Sequence, residues 1–338
     1  MKKLMLLLCA VLLAIGGPAL AETPTGRITG GIAHSLPEWF KLSFLNFKDD
    51  IDEARQAGRQ ILVFMDLDDC PYCARTLKEN FSQGDNRRYI QKNFNVIALN
   101  IRGDREVTWI DGATYTEQDL AMKLKILGTP ALVFIDPEDG KILQLNGYRT
   151  PPTLRYALEY VHNREYRDQS LSAFTEKKQK QQVPVYTLRD NPLFEKVTDF
   201  AHYQKPLVVI FEDRDCADCA GFHGKVLNHP DVQAELKKFR VVRLDDYAET
   251  PIVDISGTRS TPRAWAASLG LTYRPGVVLF NEGKEVARIQ GRFYHFHFKE
   301  MLRFVSGRYY QRYDRFGTYL ADRQQNLLQR GVNVDLGE

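Results

Sequence analysis

The sequence predicts an α/β protein built from two similar tandem domains, each with a mixed central sheet flanked by helices. In the first copy an apolar run at residues 61–65 (ILVFM) precedes a CxxC motif, Cys70 and Cys73, that opens a helix. The same unit recurs 146 residues later, where residues 207–211 precede Cys216 and Cys219. Strands alternate with helices in both copies, and each copy ends in a hairpin, which favours a mixed sheet covered by helices.

Both copies predict the same elements in the same order. A leading helix at residues 47–57 or 193–202 precedes the buried strand and the CxxC helix, and a second helical piece ends at Phe94 or Phe239. A strand follows at 96–101 or 241–244, then a short helix at 117–127 or 262–269. Pro130 or Pro275 opens the next strand, and turn residues lead to a final strand at 142–145 or 285–289. A closing helix starts at Pro151 or near His297.

The chemistry expected of the first motif follows from its place at the helix start. Unpaired amide groups and the positive end of the helix dipole stabilise a thiolate at Cys70. Cys73 lies on the same helical face and is placed to resolve a mixed disulfide formed by Cys70. The motif therefore predicts thiol–disulfide exchange.

The first 21 residues have the pattern of a cleavable signal peptide. Lys2 and Lys3 precede an apolar stretch, and small residues stand before Glu22. The apolar stretch is too short to span a bilayer, and Cys9 within it is predicted to be removed. The mature chain keeps four cysteines and is predicted to be periplasmic, where disulfides persist. A net charge of +3 without a long basic run argues against nucleic acid as a partner, and no later stretch predicts membrane insertion.

The predicted domain boundaries follow the repeat. The first domain, with the CPYC motif, covers residues 36–165, and a polar Lys/Gln-rich linker covers 166–185. The second domain, with the CADC motif, covers 186–306, and a Tyr/Arg-rich tail covers 307–338. We expect the tail to form a helix that lies on the second domain.

Each half resembles a thioredoxin-fold domain of the bacterial periplasmic thioredoxin-related, SoxW-like family. The resemblance rests on the strand–CxxC–helix unit, on Thr129-Pro130 and Arg274-Pro275 before the later strand, and on the WIDG and NGY sequences of the first copy. It implies that Pro130 and Pro275 are cis and that these four residues contact substrate. It also implies protein disulfides or thiols as partners, a membrane thiol transporter as electron donor, and no cofactor or metal.

The sequence departs from ordinary thioredoxin in its acidic residues. The family's buried acid, six residues before the first cysteine, is replaced by Phe64 and Ile210. Asp66 and Glu212, four residues before the cysteine, are the nearest acids. A proton-transfer role for either acid is one alternative, but we expect both to be solvated loop residues at the strand end. His223 is expected on a helix surface.

The two cysteine pairs are predicted to differ in redox properties. Asp215 and Asp218 place negative charge beside Cys216, which disfavours its thiolate. The second pair should therefore be the more reducing one, and electrons should flow from the second copy to the first.

The sequence leaves alternatives to an enzyme. Two CxxC motifs can hold structural zinc, although these lie far apart in sequence, and one CxxC can bind Cu(I). A scaffold whose thioredoxin-like groove only holds a partner is a further alternative, above all for the second copy. His295 and His297 form an HxH pattern without a third metal ligand. The preferred hypothesis is a periplasmic thiol–disulfide oxidoreductase with Cys70 as the nucleophile.

Overall fold

The computed structural model describes residues 25–126, 128–179, 185–201 and 205–337. The predicted signal peptide lies outside these ranges, as does the end of the Lys/Gln-rich stretch. Within them the chain forms two α/β units that match the two sequence copies, followed by a C-terminal helix.

The N-terminal part of the chain contains one short strand and the first unit. A four-stranded sheet with the order β3-β2-β6-β7 lies at the centre of this unit, with β2 parallel to β3 and antiparallel to β6. The elements are β1 (Ile28–Thr29), α1 (Phe47–Gln56), β2 (Gln60–Asp66), α2 (Pro71–Thr76), which continues as a π-helical turn (Leu77–Phe81), α3 (Gly84–Asn93), β3 (Phe94–Asn100), β4 (Glu106–Thr108), β5 (Thr114–Thr116), α4 (Glu117–Lys123), β6 (Ala131–Asp136), β7 (Gly140–Asn146), α5 (Pro151–His162) and α6 (Leu171–Gln179).

The second unit repeats this topology. Its sheet has the order β13-β12-β8-β9, again with one parallel pair and antiparallel neighbours. The elements are β8 (Leu207–Glu212), α7 (Cys219–Gly221), which continues as a π-helical turn (Phe222–Leu227), α8 (Pro230–Leu236), β9 (Arg240–Asp245), β10 (Ile252–Val253), β11 (Arg259–Ser260), α9 (Pro262–Ser268), β12 (Gly276–Asn281), β13 (Lys284–Ile289), α10 (His295–Ser306), α11 (Phe316–Gln329) and β14 (Val334–Asp335).

The central strand of each unit separates two apolar layers. In β2, Leu62 and Phe64 face the layer that contains the CxxC helix, whereas Val63 faces the layer with Trp109. Alternate residues of a strand point to opposite faces, so a strand between two layers is apolar throughout. The all-apolar runs in β2 and β8 are explained by this position.

The leading helix predicted for the second copy is wrong. In the first copy Asn46 caps α1 by accepting the N–H of Lys48 (3.2 Å). In the second copy the described residues 193–201 are not helical, and His202 lies outside the described residues. The Glu195 N–H donates to the carbonyl of Val241, and the Phe200 N–H donates to that of Val253, both at 2.8 Å. These bonds to strand edges take the place of helical bonds.

The C-terminal helix lies on the second unit, as predicted. Tyr319 of α11 packs against Phe304 of α10, and its hydroxyl donates to the buried carboxylate of Glu300 (2.7 Å). The segment after α11 forms β14, which pairs in parallel with β1. The two ends of the described chain therefore meet on the second unit.

Candidate active site

The first cysteine pair lies at the junction of β2 and α2. Cys70 and Cys73 form a disulfide with their Cα atoms 5.2 Å apart, and Cys70 is the N-cap of α2. The Cys73 N–H donates to the Cys70 sulfur over 3.1 Å. The predicted position of Cys70 at a helix start is confirmed, and an amide is aimed at the sulfur that would carry negative charge.

Thr129 and Pro130 stand beside this pair. The peptide bond between them is cis, as the resemblance implied. The Thr129 hydroxyl lies 3.3 Å from the Cys70 sulfur, and the Thr129 carbonyl oxygen lies 3.7 Å from it. A hydroxyl donor at this distance adds a second stabilising contact for a thiolate at Cys70.

An N-terminal segment lies against the loop that leads into the first pair. The Ile32 N–H donates to the Asp69 carbonyl oxygen (3.1 Å), and His34 Nε2 lies 3.0 Å from both carboxylate oxygens of Asp66. Cys70 is 6% exposed and Cys73 is fully buried. The segment therefore fixes the end of β2 and the residue before Cys70.

The second pair has a different local geometry. Cys216 and Cys219 form a disulfide with Cα atoms 5.5 Å apart, but α7 begins only at Cys219. Among the described residues, no N–H or hydroxyl donates to the Cys216 sulfur. Cys216 therefore lacks the amide contact that Cys70 has.

The second cis peptide bond joins Arg274 to Pro275, which also agrees with the resemblance. The Arg274 guanidinium binds Asp246 with Nε at 2.7 Å and lies 3.5 Å from Asp213. Both carboxylates are largely buried. At the position before the cis proline, the first copy has the neutral hydroxyl of Thr129, and the second copy has the ion-paired guanidinium of Arg274.

One of the two negative charges predicted to face Cys216 is compensated. Asp218 accepts a hydrogen bond from the Tyr273 hydroxyl and forms an ion pair with Arg292 (3.1 Å). Asp215 accepts a hydrogen bond from the neutral Tyr247 hydroxyl (2.8 Å). The expected effect of a free negative charge is therefore wrong for Asp218, because Arg292 folds onto its carboxylate, whereas Asp215 keeps its charge.

The solvated positions predicted for Asp66, Glu212 and His223 are also wrong. Glu212 is fully buried, and its carboxylate lies 2.6 Å from Nε2 of the buried His223. The Tyr186 hydroxyl donates to the same carboxylate (3.3 Å), and Tyr186 packs against Cys216 and Cys219. Burial raises the pKa of Asp66, although its contact with His34 opposes the shift.

The two units meet through the faces that carry the CxxC motifs. Tyr72, between the first two cysteines, stacks on Tyr294 with ring centroids 4.3 Å apart. Its hydroxyl accepts the Tyr294 N–H (2.8 Å) and hydrogen-bonds to His297 Nδ1 (3.1 Å). Burial lowers the pKa of His297 to about 4, and repulsion by His295 adds to this. No local sequence pattern predicts this interface role of Tyr72 and His297.

Arg149 extends the interface towards the second pair. Its side chain is 1% exposed, and its guanidinium lies over the Tyr273 ring at 4.9 Å. Burial lowers the pKa of Arg149 to about 10, while attraction by Tyr273 and Asp218 opposes this. Gly147 and Gly291 occupy matching places in the two copies, and a Cβ atom on Gly291 would lie 2.9 Å from the Gly147 Cα. In the sequence these glycines are paired only as equivalent positions of the repeat, which does not predict that they touch.

The described residues show neither a membrane-spanning helix nor a metal cluster. No helix in this part of the chain has the length and apolar character needed to cross a bilayer. Likewise, no three His, Cys, Asp or Glu side chains in the described ranges come together as metal ligands.

Comparison with known proteins identifies the repeated unit. A family model described as a thioredoxin-like domain matches residues 47–162 and again residues 193–306. No curated protein matches the chain.

Solved structures with similar folds share little sequence with this chain. A thioredoxin-fold protein from Helicobacter pylori is 21% identical over 37% of this chain and 87% of its own, with a TM-score of 0.33. DsbH oxidoreductase is 14% identical over 38% of this chain and 91% of its own, with a TM-score of 0.28. A protein disulfide oxidoreductase from Aeropyrum pernix K1 is 14% identical over 80% of this chain and 97% of its own, with a TM-score of 0.25.

Proposed function

The chain belongs to the thioredoxin-like domain family, and we propose that it exchanges disulfides with protein substrates in the periplasm. Two thioredoxin-like units with CxxC pairs at disulfide distance make it a thiol–disulfide oxidoreductase. The observation that carries the proposal is the Cys70 sulfur at the start of α2, with the Cys73 N–H and the Thr129 hydroxyl directed at it.

The proposed reaction begins with the reduced first pair. The Cys70 thiolate attacks one sulfur of a substrate disulfide, and the other substrate sulfur leaves as a thiolate. Cys73 then loses its proton and attacks the Cys70 sulfur of the mixed disulfide, which releases the second substrate sulfur. The substrate gains two electrons, and the protein is left with the Cys70–Cys73 disulfide. Oxidation of a substrate dithiol runs through the same steps in reverse.

The neighbouring residues support these roles. The amide at the start of α2 stabilises charge on Cys70, so this sulfur is both the better attacking group and the better leaving group. Thr129 and Pro130 stand beside it, in the position where the family resemblance implies substrate contact. Arg274 and Pro275 have the matching role in the second copy under this proposal.

The proposed location rests on the composition of residues 1–21, which has the order of a basic start, an apolar stretch and small residues. Fractionation of the bacterial cell tests this part separately. The expected result is a periplasmic form whose N-terminus, measured by mass spectrometry, lies near Glu22. A cytoplasmic chain that keeps residues 1–21 would contradict the proposed location.

Substrate trapping tests the proposed reaction. The Cys73→Ser variant should accumulate mixed disulfides between Cys70 and periplasmic proteins, because the resolving sulfur is absent. The matched Cys70→Ser/Cys73→Ser variant should trap none through the first pair. A dithiothreitol-driven insulin reduction assay, with metal analysis of the same protein, separates an oxidoreductase from a Cu(I)-binding or scaffold protein. Bound copper without insulin reduction would contradict the proposal.

A further inference from the structure

A cavity of about 190 Å³ opens between the two units beside the second cysteine pair. Cys216 and Ala217 of the CADC motif line it, together with the residues before Pro275. The opposite side belongs to the first unit and is formed by Thr150 and Thr153 at the start of α5 and by the face of α6. The second redox site therefore faces a partly open cavity rather than a flat protein surface.

The wall formed by α6 is fixed at both sides. Phe174 is buried in the core of the first unit. Glu176 forms an ion pair with Arg263 of α9 in the second unit (2.5 Å). Because α6 is held to both units, the mouth of the cavity cannot widen without loss of these contacts.

The size of the cavity limits what reaches Cys216. Sites for drug-sized ligands typically measure about 300–1,000 Å³, so this one suits a molecule with only a few heavy atoms. Cys216 itself is 3% exposed. Because Cys70 is almost as buried, the difference between the sites lies in the cavity: α6 of the first unit forms the opposite wall, which leaves room for a small free thiol rather than for the surface of a folded protein.

The charge around the cavity selects among small thiols. Five carboxyl groups but only two guanidinium groups line it; they belong to Asp213, Asp215, Asp218, Asp246, Glu176, Arg263 and Arg274. Arg292 pairs with Asp218 from outside the lining, so the carboxyl groups still exceed the guanidinium groups by two. Burial raises the pKa of Asp213 to about 6, and the charges of Asp246 and Asp215 add to this while Arg274 opposes it. An excess of negative charge in a partly buried site favours a ligand that carries an ammonium group.

We propose that this cavity binds small cationic aminothiols and their disulfides, which exchange with the Cys216–Cys219 pair. The inference rests on the proposed function and names the substrate class of its second site. The ammonium group would face Asp213 and Asp215, and the sulfur would face Cys216.

The exchange balances with two thiol molecules for each disulfide. The thiolate of the first aminothiol attacks the Cys216 sulfur, and Cys219 leaves as a thiolate. The second aminothiol thiolate attacks the external sulfur of the mixed disulfide, so that the symmetrical aminothiol disulfide leaves and Cys216 becomes a thiolate. Two electrons pass to the cysteine pair. The protons lost by the two aminothiols pass to solvent or to the new thiolates, and reversal of the steps oxidises the pair.

Rate measurements with three small thiols test the charge preference. The full chain with Cys70→Ser/Cys73→Ser is reduced with cysteamine, 2-mercaptoethanol or 2-mercaptoethanesulfonate, and each rate is corrected for thiolate fraction and nucleophilicity. Cysteamine is expected to react on the order of tenfold faster than 2-mercaptoethanesulfonate, with 2-mercaptoethanol between them. With Cys216→Ser/Cys219→Ser, the first pair should react with all three within about threefold.

Two further variants test the cavity itself. Ala173 is exposed on α6 and lines the mouth, so Ala173→Trp should slow reduction of the second pair by all three thiols. The matched control is Lys177→Trp, at an exposed position of the same helix that does not line the cavity. Asp213→Asn should reduce the cysteamine preference at the second pair and leave the first pair unchanged.

The inference is overturned if the second pair shows no charge preference, if both pairs show the same preference, or if Ala173→Trp changes the rate no more than Lys177→Trp. Insulin reduction and substrate trapping by the first pair are unaffected by these outcomes. Failure of the inference therefore leaves the proposed function standing, whereas loss of exchange at the first pair with every thiol and with insulin removes the proposed function.

Discussion

The two CxxC sites share a fold but differ in what surrounds the first sulfur. Cys70 caps α2 and lies near one N–H and one hydroxyl, whereas Cys216 precedes the start of α7 and stands beside Asp215 and the ion-paired Asp218. The residue before the cis proline is Thr129 in one site and the ion-paired Arg274 in the other. The comparison indicates that a duplicated domain can keep its scaffold while a few residues at the motif change its thiol chemistry.

The difference gives a new physical reason for the predicted direction of electron flow. Arg292 compensates the charge of Asp218, so of the two carboxylates only Asp215 still disfavours a thiolate at Cys216. A thiolate at Cys70 instead gains an amide contact that Cys216 lacks, and a stabilised reduced form makes a couple more oxidising. Electron flow from the second copy to the first therefore stays a prediction, now based on hydrogen bonding.

Removal of each pair should have unequal effects on protein substrates. Cys70→Ser/Cys73→Ser is expected to lower the rate of insulin reduction at least 100-fold, because it removes the nucleophile best stabilised as a thiolate. Cys216→Ser/Cys219→Ser should lower it less than about tenfold. Equal losses in the two variants would show that the two sites act as one unit on proteins.

The source of the imidazole that pairs with the acid at the end of the central strand distinguishes the two copies. In the second copy, His223 of the π-helical turn pairs with Glu212, whereas in the first copy His34 of the N-terminal segment pairs with Asp66. His223 corresponds to Leu77, so His223→Leu gives the second copy the residue of the first. This change leaves the buried Glu212 carboxylate without its closest partner and should lower the free energy of unfolding by about 3 kcal/mol. Urea unfolding measures the effect.

A double variant is the control for this prediction. Glu212→Gln/His223→Leu removes the charge together with its partner and should recover much of the lost stability. If His223→Leu alone costs less than about 1 kcal/mol, the pair has no structural role in the second copy.

Low pH should weaken the contact between the two copies. The folded pKa of His297 is about 4, below the ordinary value of 6.5, so the unfolded chain binds a proton more readily between these values. The free energy of unfolding is retained above pH 6.5 and falls as the pH drops towards 4. Because the ring is half-buried, we expect a loss of about 2 kcal/mol.

Urea unfolding of wild type and His297→Gln at pH 7.5 and pH 4.5 measures this. The wild type should lose more stability between the two pH values than the variant does. Parallel losses in both proteins would show that His297 does not respond to pH in this range.

The smallest effect is expected from the hydroxyl of Tyr72, which links the first motif to the second unit. Tyr72→Phe keeps the stacking on Tyr294 but removes two hydrogen bonds, for an expected loss of about 1–2 kcal/mol. Tyr115→Phe is the control, because this hydroxyl bonds to Asp111 in an exposed setting and should change stability by less than about 0.5 kcal/mol. Equal effects in thermal unfolding would argue against a stabilising contact at Tyr72.

Local patterns in the sequence were enough to predict the fold class and the position of Cys70. Apolar runs identify strands buried on both faces, and Pro71 after Cys70 identifies a helix start. The internal repeat then predicted the elements of the second unit from those of the first. These features depend on residues close in sequence, which is why they could be predicted.

Features that depend on distant residues could not be predicted. Glu212 looks like a loop acid until β8 and the π-helical turn place His223 and Tyr186 against it. Asp218 looks uncompensated until Arg292, 74 residues later, reaches it. The segment 193–201 has a helical pattern, but strand edges offer its backbone other partners.

Alkylation kinetics across pH test the central claim most directly. The single-cysteine protein with Cys73→Ser/Cys216→Ser/Cys219→Ser retains Cys70, and its counterpart with Cys70→Ser/Cys73→Ser/Cys219→Ser retains Cys216. The account predicts that the iodoacetamide rate at Cys70 has a midpoint at least about one pH unit below the ordinary thiol value of about 8.5, and below the midpoint at Cys216. A midpoint at Cys70 that equals or exceeds that of Cys216 would contradict it.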